Sequence, residues 1–72
     1  MELPAKLSDK ASGFPEPSYG ATKVTLLLSN GDKIENVTLA WGEEIIKIQN
    51  KDIHKIKSLG FTKEDIVDVL QY

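Results

Sequence analysis

The 72-residue sequence contains neither cysteine nor arginine, and it has no long apolar run. The absence of cysteine excludes a disulfide, a thiolate metal site and a thiol nucleophile. All nine cations are lysines, which offer phosphate a point charge and not the planar, two-pronged fork of arginine. With a net charge of −2, this composition argues against nucleic acid as a partner.

The lack of a long apolar run excludes a transmembrane helix by the usual length criterion. The first ten residues, MELPAKLSDK, also lack the apolar stretch that a signal peptide needs. We therefore predict a soluble protein with no membrane association and a cytoplasmic location.

Residue types that carry catalysis are few. His54 is the only histidine, and no Asp, Glu or Cys lies three or four residues from it, so it belongs to no metal-ligand pattern. Glu43 and Glu44 are neighbours in a predicted turn, where adjacent side chains point apart. The five glycines are scattered and form no phosphate-binding cluster. The sequence predicts no enzyme, no metal and no cofactor.

The first twenty residues differ from the rest of the chain. They hold all three prolines and show no helical or strand periodicity, which predicts a flexible or extended N-terminal arm over 1–20. Residues 21–72 then form a single small β-rich domain. Within the arm, GFPEPSYG carries Phe14 and Tyr19 on a proline-stiffened segment. That segment tucks its aromatic side chains against the domain, serves as a docking peptide for a partner, or is simply disordered.

Three strands are predicted after residue 20, at about 22–29, 33–41 and 44–50. Asn30-Gly31 separates the first two, and this dipeptide is the strongest short signal for a tight hairpin. Gly42-Glu43 separates the second and third. Two-residue turns at these positions predict the cross-strand pairs Val24–Val37, Leu26–Glu35, Leu27–Ile34, Val37–Ile48, Leu39–Ile46 and Ala40–Ile45.

This register sorts the side chains onto two faces of an antiparallel meander. The apolar face collects Val24, Leu26, Leu28, Val37, Leu39, Trp41, Ile46 and Ile48. The other face is polar, with Lys23, Thr38 and Lys47 in one cross-strand row. It also carries two small apolar clusters, Leu27–Ile34 and Ala21–Ala40–Ile45.

The C-terminal third is compatible with two structures. In the first, FTKED (61–65) forms one helical turn and IVDVLQ (66–71) forms a strand that closes the meander into a small barrel. In the second, two short helices at 52–59 and 62–71 cover the same sheet, giving an α+β fold. Thr62 and Asp65 suit a helix start in both cases. The β-branched Ile66, Val67 and Val69 favour the strand.

The order of three meandering strands, a short helical turn and a last strand resembles SH3-like and Sm-like small barrels. This resemblance covers residues 22–71 by element order alone, and it carries no functional residues. SLGF (58–61) is similar to the Met-Gly-Phe loop of ubiquitin-associated domains, with Leu59 in place of the methionine. We predict the SH3-like barrel.

The predicted function is that of a non-catalytic protein–protein interaction module with an unknown protein partner. The candidate partner-binding residues are Phe14, Tyr19, Leu27, Ile34 and Trp41. One alternative is a nucleic-acid-binding small barrel that uses the row of Lys23, Thr38 and Lys47. Another is a self-associating structural subunit, monomeric or weakly dimeric, which pairs through the edge of strand 22–28 or of the last strand.

Overall fold

The computed structural model describes residues 1–15 and 20–72. It contains one α-helix, five β-strands and two 3₁₀ turns in the described residues. In chain order these are α1 (Ala5–Ala11), β1 (Ala21–Leu28), β2 (Lys33–Ala40), β3 (Glu44–Ile48), β4 (Lys51–Asp52), 3₁₀ turns at Ile53–Lys55 and Lys63–Asp65, and β5 (Ile66–Gln71). No helix among the described residues is long and apolar enough to cross a membrane.

The five strands form one antiparallel sheet in the order β4-β3-β2-β1-β5. The predicted meander is therefore confirmed, and the C-terminal strand adds to it beside β1. The prediction of a closed barrel is wrong, because β4 and β5 lie at opposite edges of an open sheet. The fold is a small β-rich sheet with one short helix.

The segment from Phe61 to Gln71 forms a single turn followed by a strand, as the β-branched residues predicted. The Thr62 N–H donates to the Asp65 carboxylate at 2.9 Å, and the Asp65 N–H donates to the Thr62 carbonyl at 3.0 Å. These two bonds close the turn, and β5 begins directly after it. The α+β alternative is wrong at both predicted helices. Residues 52–59 contain the end of β4 and the 3₁₀ turn at Ile53–Lys55, and residues 62–71 contain the 3₁₀ turn at Lys63–Asp65 and β5.

The first hairpin has one more residue in its turn than predicted. The Leu28 N–H donates to the Asp32 carbonyl at 2.9 Å, so three residues form the loop and Gly31 takes a positive φ of 93°. The pairs beside the turn consequently shift to Leu26–Ile34 and Leu27–Lys33. The predicted Leu26–Glu35 and Leu27–Ile34 pairs are wrong.

A β-bulge in β2 then restores the predicted register. Two residues, Glu35 and Asn36, lie opposite the single residue Thr25, and Asn36 has a φ of 57°. An extra residue of this kind bends the strand and increases its twist. Beyond it, Val24 pairs with Val37 as predicted.

The second hairpin turns one residue earlier than predicted. Trp41 and Gly42 both have positive φ, 55° and 72°, and the Glu43 N–H donates to the Ala40 carbonyl at 3.0 Å. A type I′ turn requires positive φ at both of its central residues. Trp41 therefore lies in the turn, 60% exposed, and its predicted place on the core face is wrong.

Three residues, 41–43, lie between the first paired residues of β2 and β3. Near the turn the pairs are Leu39–Ile45 and Ala40–Glu44, which replace the predicted Leu39–Ile46 and Ala40–Ile45. Ile45 is consequently buried in the core, while Ile46 occupies a bulge and is half-buried. Val37–Ile48 and Thr38–Lys47 pair as predicted.

The core lies on one face of the sheet. Its fully or nearly fully buried apolar residues are Leu3, Ala11, Val24, Leu26, Leu28, Val37, Leu39, Ile45, Phe61, Ile66 and Val69. Two of them, Leu3 and Ala11, come from the N-terminal segment, so the sheet alone does not complete the core.

The N-terminal segment is not an unstructured arm over residues 1–15. Residues Ala5–Ala11 form α1, and Leu3, Leu7 and Ala11 pack into or against the core. The Leu3 N–H donates to the Glu43 carbonyl and the Ile45 N–H to the Met1 carbonyl, each at 2.8 Å. These bonds hold the segment against the start of β3. Leu7 and Ala11 are four residues apart and therefore lie on one face of α1, while Leu3, which precedes the helix, is placed in the core by its backbone bond to Glu43.

Two leucine truncations test the division between core and surface. Leu26→Ala removes a fully buried side chain, and we expect it to lower the free energy of unfolding by about 3 kcal/mol. Leu70→Ala removes a partly exposed leucine from the neighbouring strand, and we expect a loss below about 1 kcal/mol. Urea denaturation followed by circular dichroism measures both. Equal losses for the two variants would contradict the assigned faces.

Candidate protein-binding edge

β5 forms one edge of the sheet. It pairs with β1 on one side, through Val24–Gln71, Thr25–Leu70, Leu26–Val69, Leu27–Asp68 and Leu28–Ile66. Its other side has no strand partner within residues 1–15 and 20–72. An edge strand presents unpaired backbone groups that another chain can bind.

Two hydrogen bonds identify the outward-facing backbone groups of β5. The Tyr72 N–H donates to the Lys23 carbonyl of β1 at 3.3 Å, so Tyr72 faces β1 and, by alternation, so does Leu70. The Val69 N–H instead donates a hydrogen bond to the Asp68 carboxylate at 2.8 Å. Val69 and Gln71 therefore direct their N–H and carbonyl groups away from β1. Val69 is fully buried, so of these two residues only Gln71 is exposed.

Large apolar side chains cluster on the same strand. Val67 is 55% exposed, Leu70 is 37% exposed and Tyr72 is 59% exposed. Val67 is the extra residue of a bulge between Asp68 and Ile66. Leu70 lies opposite Thr25, and Tyr72 lies opposite Lys23, on the face of the sheet away from the core. Three of the four exposed large apolar residues of the described chain thus lie on or next to β5.

The side chain of Asp68 bonds to one backbone N–H of this edge and to α1. Its Oδ1 accepts a hydrogen bond from the Lys10 ammonium of α1 at 2.8 Å and one from the Val69 N–H. The Lys10 hydrogen bond, followed by the Val69 amide, lowers the pKa of the Asp68 carboxyl below its usual range. Asp68 stays ionised at neutral pH and occupies one outward N–H of the edge.

Trp41 is the fourth exposed large apolar residue, and it lies elsewhere. A bulky residue with positive φ is uncommon and strained. The backbone N–H of Trp41 donates to the Gly20 carbonyl at 2.8 Å. The indole ring lies so close to Gly20 that a Cβ at that position would be 3.0 Å from the ring atom Cζ2. Trp41 thus holds the start of β1 against the second hairpin.

The other candidate partner-binding residues do not converge. Phe14 and Ile34 are half-buried and pack against the core. Leu27 is half-buried between Lys33 and Asp68. Tyr19 lies outside the described residues. The structure brings neither the Leu27–Ile34 cluster nor Ile45 to the polar face, because the two turns shift the register by one residue.

Val67, Leu70 and Tyr72 were absent from the predicted site. The barrel prediction used the last strand to close the meander, and the self-association alternative named the edge of the last strand without naming residues on it. The signal that could have found them is the apolar, nearly uncharged composition of IVDVLQY (66–72). Such a strand at a sheet edge is a ready template for pairing.

The described residues contain no group of three or more histidine or acidic side chains arranged to hold a metal ion. Two surface depressions have volumes of about 100 and 290 Å³. The larger is lined by Ser8, Glu43 and Lys63 among others, and the Ser8 hydroxyl donates to the Gly42 carbonyl at 3.1 Å. The edge of β5 is the feature of the described surface with the clearest binding chemistry.

Comparison of the chain with protein-family models, with curated proteins and with solved structures found no significant match.

The Asp68–Lys10 contact predicts a measurable titration. We expect a pH titration followed by NMR of the side-chain carboxyl carbons to give Asp68 a pKa below the ordinary carboxyl value. Lys10→Ala should raise this pKa toward the ordinary value. Lys6→Ala, on the same helix, is the control and should leave it unchanged. Because the folded-state pKa is lowered, the stability contributed by ionised Asp68 is present above about pH 4 and is lost as the pH falls through the folded-state value. An Asp68 pKa insensitive to Lys10→Ala would contradict the contact.

Proposed function

We propose that the protein is a non-catalytic protein-binding domain, and that an extended segment of the partner adds to the sheet along the outer edge of β5. The observation that carries this proposal is the combination of an edge strand, which has no strand neighbour on its outer side among the described residues, with exposed Val67, Leu70 and Tyr72. Strand addition draws its affinity from backbone hydrogen bonds and its specificity from alternate side chains.

The two outer residues of the edge define the partner's chemistry. Leu70 and Tyr72 lie on the same face of β5, so an added strand would set its own alternate residues beside them. A segment with β-branched or aromatic residues at those positions gains cross-strand contacts of about 0.2–1 kcal/mol each. The partner segment is therefore extended, apolar at alternate positions and free of proline there.

The element order of the chain still resembles that of SH3-like modules, with a single 3₁₀ turn before the last strand. This resemblance in element order is an analogy of fold and names no binding residue. In the present protein the binding surface we propose is the sheet edge and not a groove beside Trp41, because Trp41 is engaged with Gly20.

One observation favours a second function, the binding of single-stranded nucleic acid. The predicted row of Lys23, Thr38 and Lys47 forms, and it is extended by the exposed ring of Tyr72 beside Lys23. An aromatic ring next to lysines suits base stacking and phosphate contact. The row ends at Asp52, and the net charge is −2, so we rank it below protein binding. Binding of a short oligonucleotide that weakens with salt and is lost in Lys23→Ala would reverse this order.

Photo-crosslinking on the full chain tests the proposed edge. A photoreactive residue at Val67 should give a protein adduct in cells, whereas the same residue at exposed Lys57 should not. The adduct should be lost in Gln71→Pro, because proline removes the outward N–H of Gln71 without removing a bond to β1. Equal adducts at both positions, or an adduct unaffected by Gln71→Pro, would contradict strand addition at this edge. Circular dichroism confirms that the proline variant is folded.

A further inference from the structure

We propose that α1 is an autoinhibitory cover of the β5 edge, which keeps the middle of that edge closed to a partner strand until the helix moves away. This inference rests on the proposed function, because it describes how access to the same edge is controlled. It follows from the burial of Val69, from the hydrogen bonds that Asp68 accepts and from the weak anchoring of α1.

The middle of β5 is closed, although no strand lies beyond it among the described residues. Val69 directs its backbone groups away from β1, yet the residue is 0% exposed. α1 packs against β5, and Ala11, the last residue of α1, belongs to the same buried cluster as Val69. A partner strand that pairs along β5 needs the N–H and carbonyl of Val69. It therefore needs α1 to move first.

The side chain of Asp68 connects the helix to the edge. Its Oδ1 accepts one hydrogen bond from the Lys10 ammonium of α1 and one from the Val69 N–H, each at 2.8 Å. A partner strand that takes the Val69 N–H has to displace this carboxylate, and the displacement also breaks the bond to Lys10. Docking of α1 and binding of a partner therefore oppose each other, which is a reciprocal coupling.

The two ends of β5 stay accessible while α1 is docked. Val67, before the covered residue, is 55% exposed, and Tyr72, after it, is 59% exposed. Gln71 is exposed as well. A partner can thus make its first contacts at these residues in the closed state, and complete its pairing with β5 when α1 opens.

α1 has few stabilising features of its own. It has seven residues, no side-chain hydrogen bond at its N-cap and no acidic residue in its first turn. A helix of this length does not persist in water without tertiary contacts. Its contacts include the ion pair with Asp68, whose two side chains are 43% and 38% exposed, and the bond from the Ser8 hydroxyl to the Gly42 carbonyl. Because an exposed ion pair stabilises little, α1 opens more easily than the sheet unfolds.

Amide hydrogen exchange on the full chain, followed by NMR, measures this opening. Val24 is fully buried in β1 and pairs with β2, so its amide reports the unfolding of the sheet. We expect the Val69 amide to exchange at least about tenfold faster than the Val24 amide, because α1 opens while the sheet stays folded. Equal rates would mean that Val69 is exposed only when the whole domain unfolds, and they would overturn the proposal.

A reversible disulfide tests whether α1 is the element that moves. The chain has no cysteine, and a Cβ on Gly42 in the second hairpin would lie 3.4 Å from the Cβ of Ser12, the residue after α1. This separation is close to that in a disulfide.

In the Ser12→Cys/Gly42→Cys variant, we expect oxidation to lower the Val69 exchange rate to that of Val24, and reduction to restore the difference. The reduced form carries the same two substitutions and is the matched control. A Val69 amide that still exchanges faster than Val24 in the oxidised form would rule out α1 as the cover.

Charge removal links the cover to partner binding. Lys10→Met removes the ammonium that binds Asp68, and Lys6→Met makes the same change at the other lysine of α1. With a photoreactive residue at Val67, we expect Lys10→Met to raise the yield of the protein adduct about two- to fivefold, the range of an exposed ion pair. Lys6→Met is the control and should leave the yield unchanged.

The two proposals fail in different ways. An adduct that depends on Gln71 but has the same yield with and without Lys10→Met would overturn the cover and leave the proposed function standing. If no adduct forms at Val67 even in Lys10→Met, strand addition at β5 is refuted, and the regulatory role of α1 with it.

Discussion

The pairing of β1 on both of its sides is the interaction on which the remaining structure depends. β1 hydrogen-bonds to β2 through the first hairpin and to β5 from the far end of the chain. It also supplies Val24 and Leu26, which are fully buried in the core. Removing either partner would expose these side chains, so the short-range hairpin and the long-range strand pairing stabilise each other. In a domain of this size, whose total stability is a few kcal/mol, neither is expected to persist alone.

Three β-bulges shape this sheet, one in each of its main strand pairs. Each adds a residue to one strand, which bends the strand and shifts the faces on which its side chains lie. The bulge in β2 lets Ile34 join Leu26 on the core side. The bulge at Ile46 puts Ile45 into the core, and the bulge at Val67 leaves that side chain exposed. The bulges thus determine both the composition of the core and the apolar residues that remain outside.

The two edges of the sheet differ in ways that bear on function. The β4 edge is short and charged, as expected of an edge that avoids other chains. The β5 edge is three times as long, carries Val67, Leu70 and Tyr72, and has one ionised residue, Asp68, bound to Lys10. The Asp68 carboxylate accepts a hydrogen bond from the outward N–H of Val69. The backbone N–H and carbonyl of Gln71 remain accessible. This asymmetry is the physical basis for placing the binding surface at β5.

Much of this fold could be predicted from local patterns. Alternating apolar residues and the Asn30-Gly31 turn predicted the three-stranded meander, and β-branched residues after a capped turn predicted β5. These signals are local, because strand preference and turn chemistry depend on neighbouring residues. The helix α1 was missed, since seven residues do not form a stable helix in water without tertiary contacts.

The exact register, the open sheet and the unpaired β5 edge were decided only by tertiary structure. A one-residue change in a turn alters the local free energy little. It nevertheless places Ile45 in the core where Ile46 was predicted, and it leaves Trp41 exposed. Packing of the whole core selects between such registers. The sequence by itself determined which segments are strands, because that choice depends on each segment's own residues. Which strands became neighbours, and which edge stayed unpaired, depended on contacts between residues far apart in the chain.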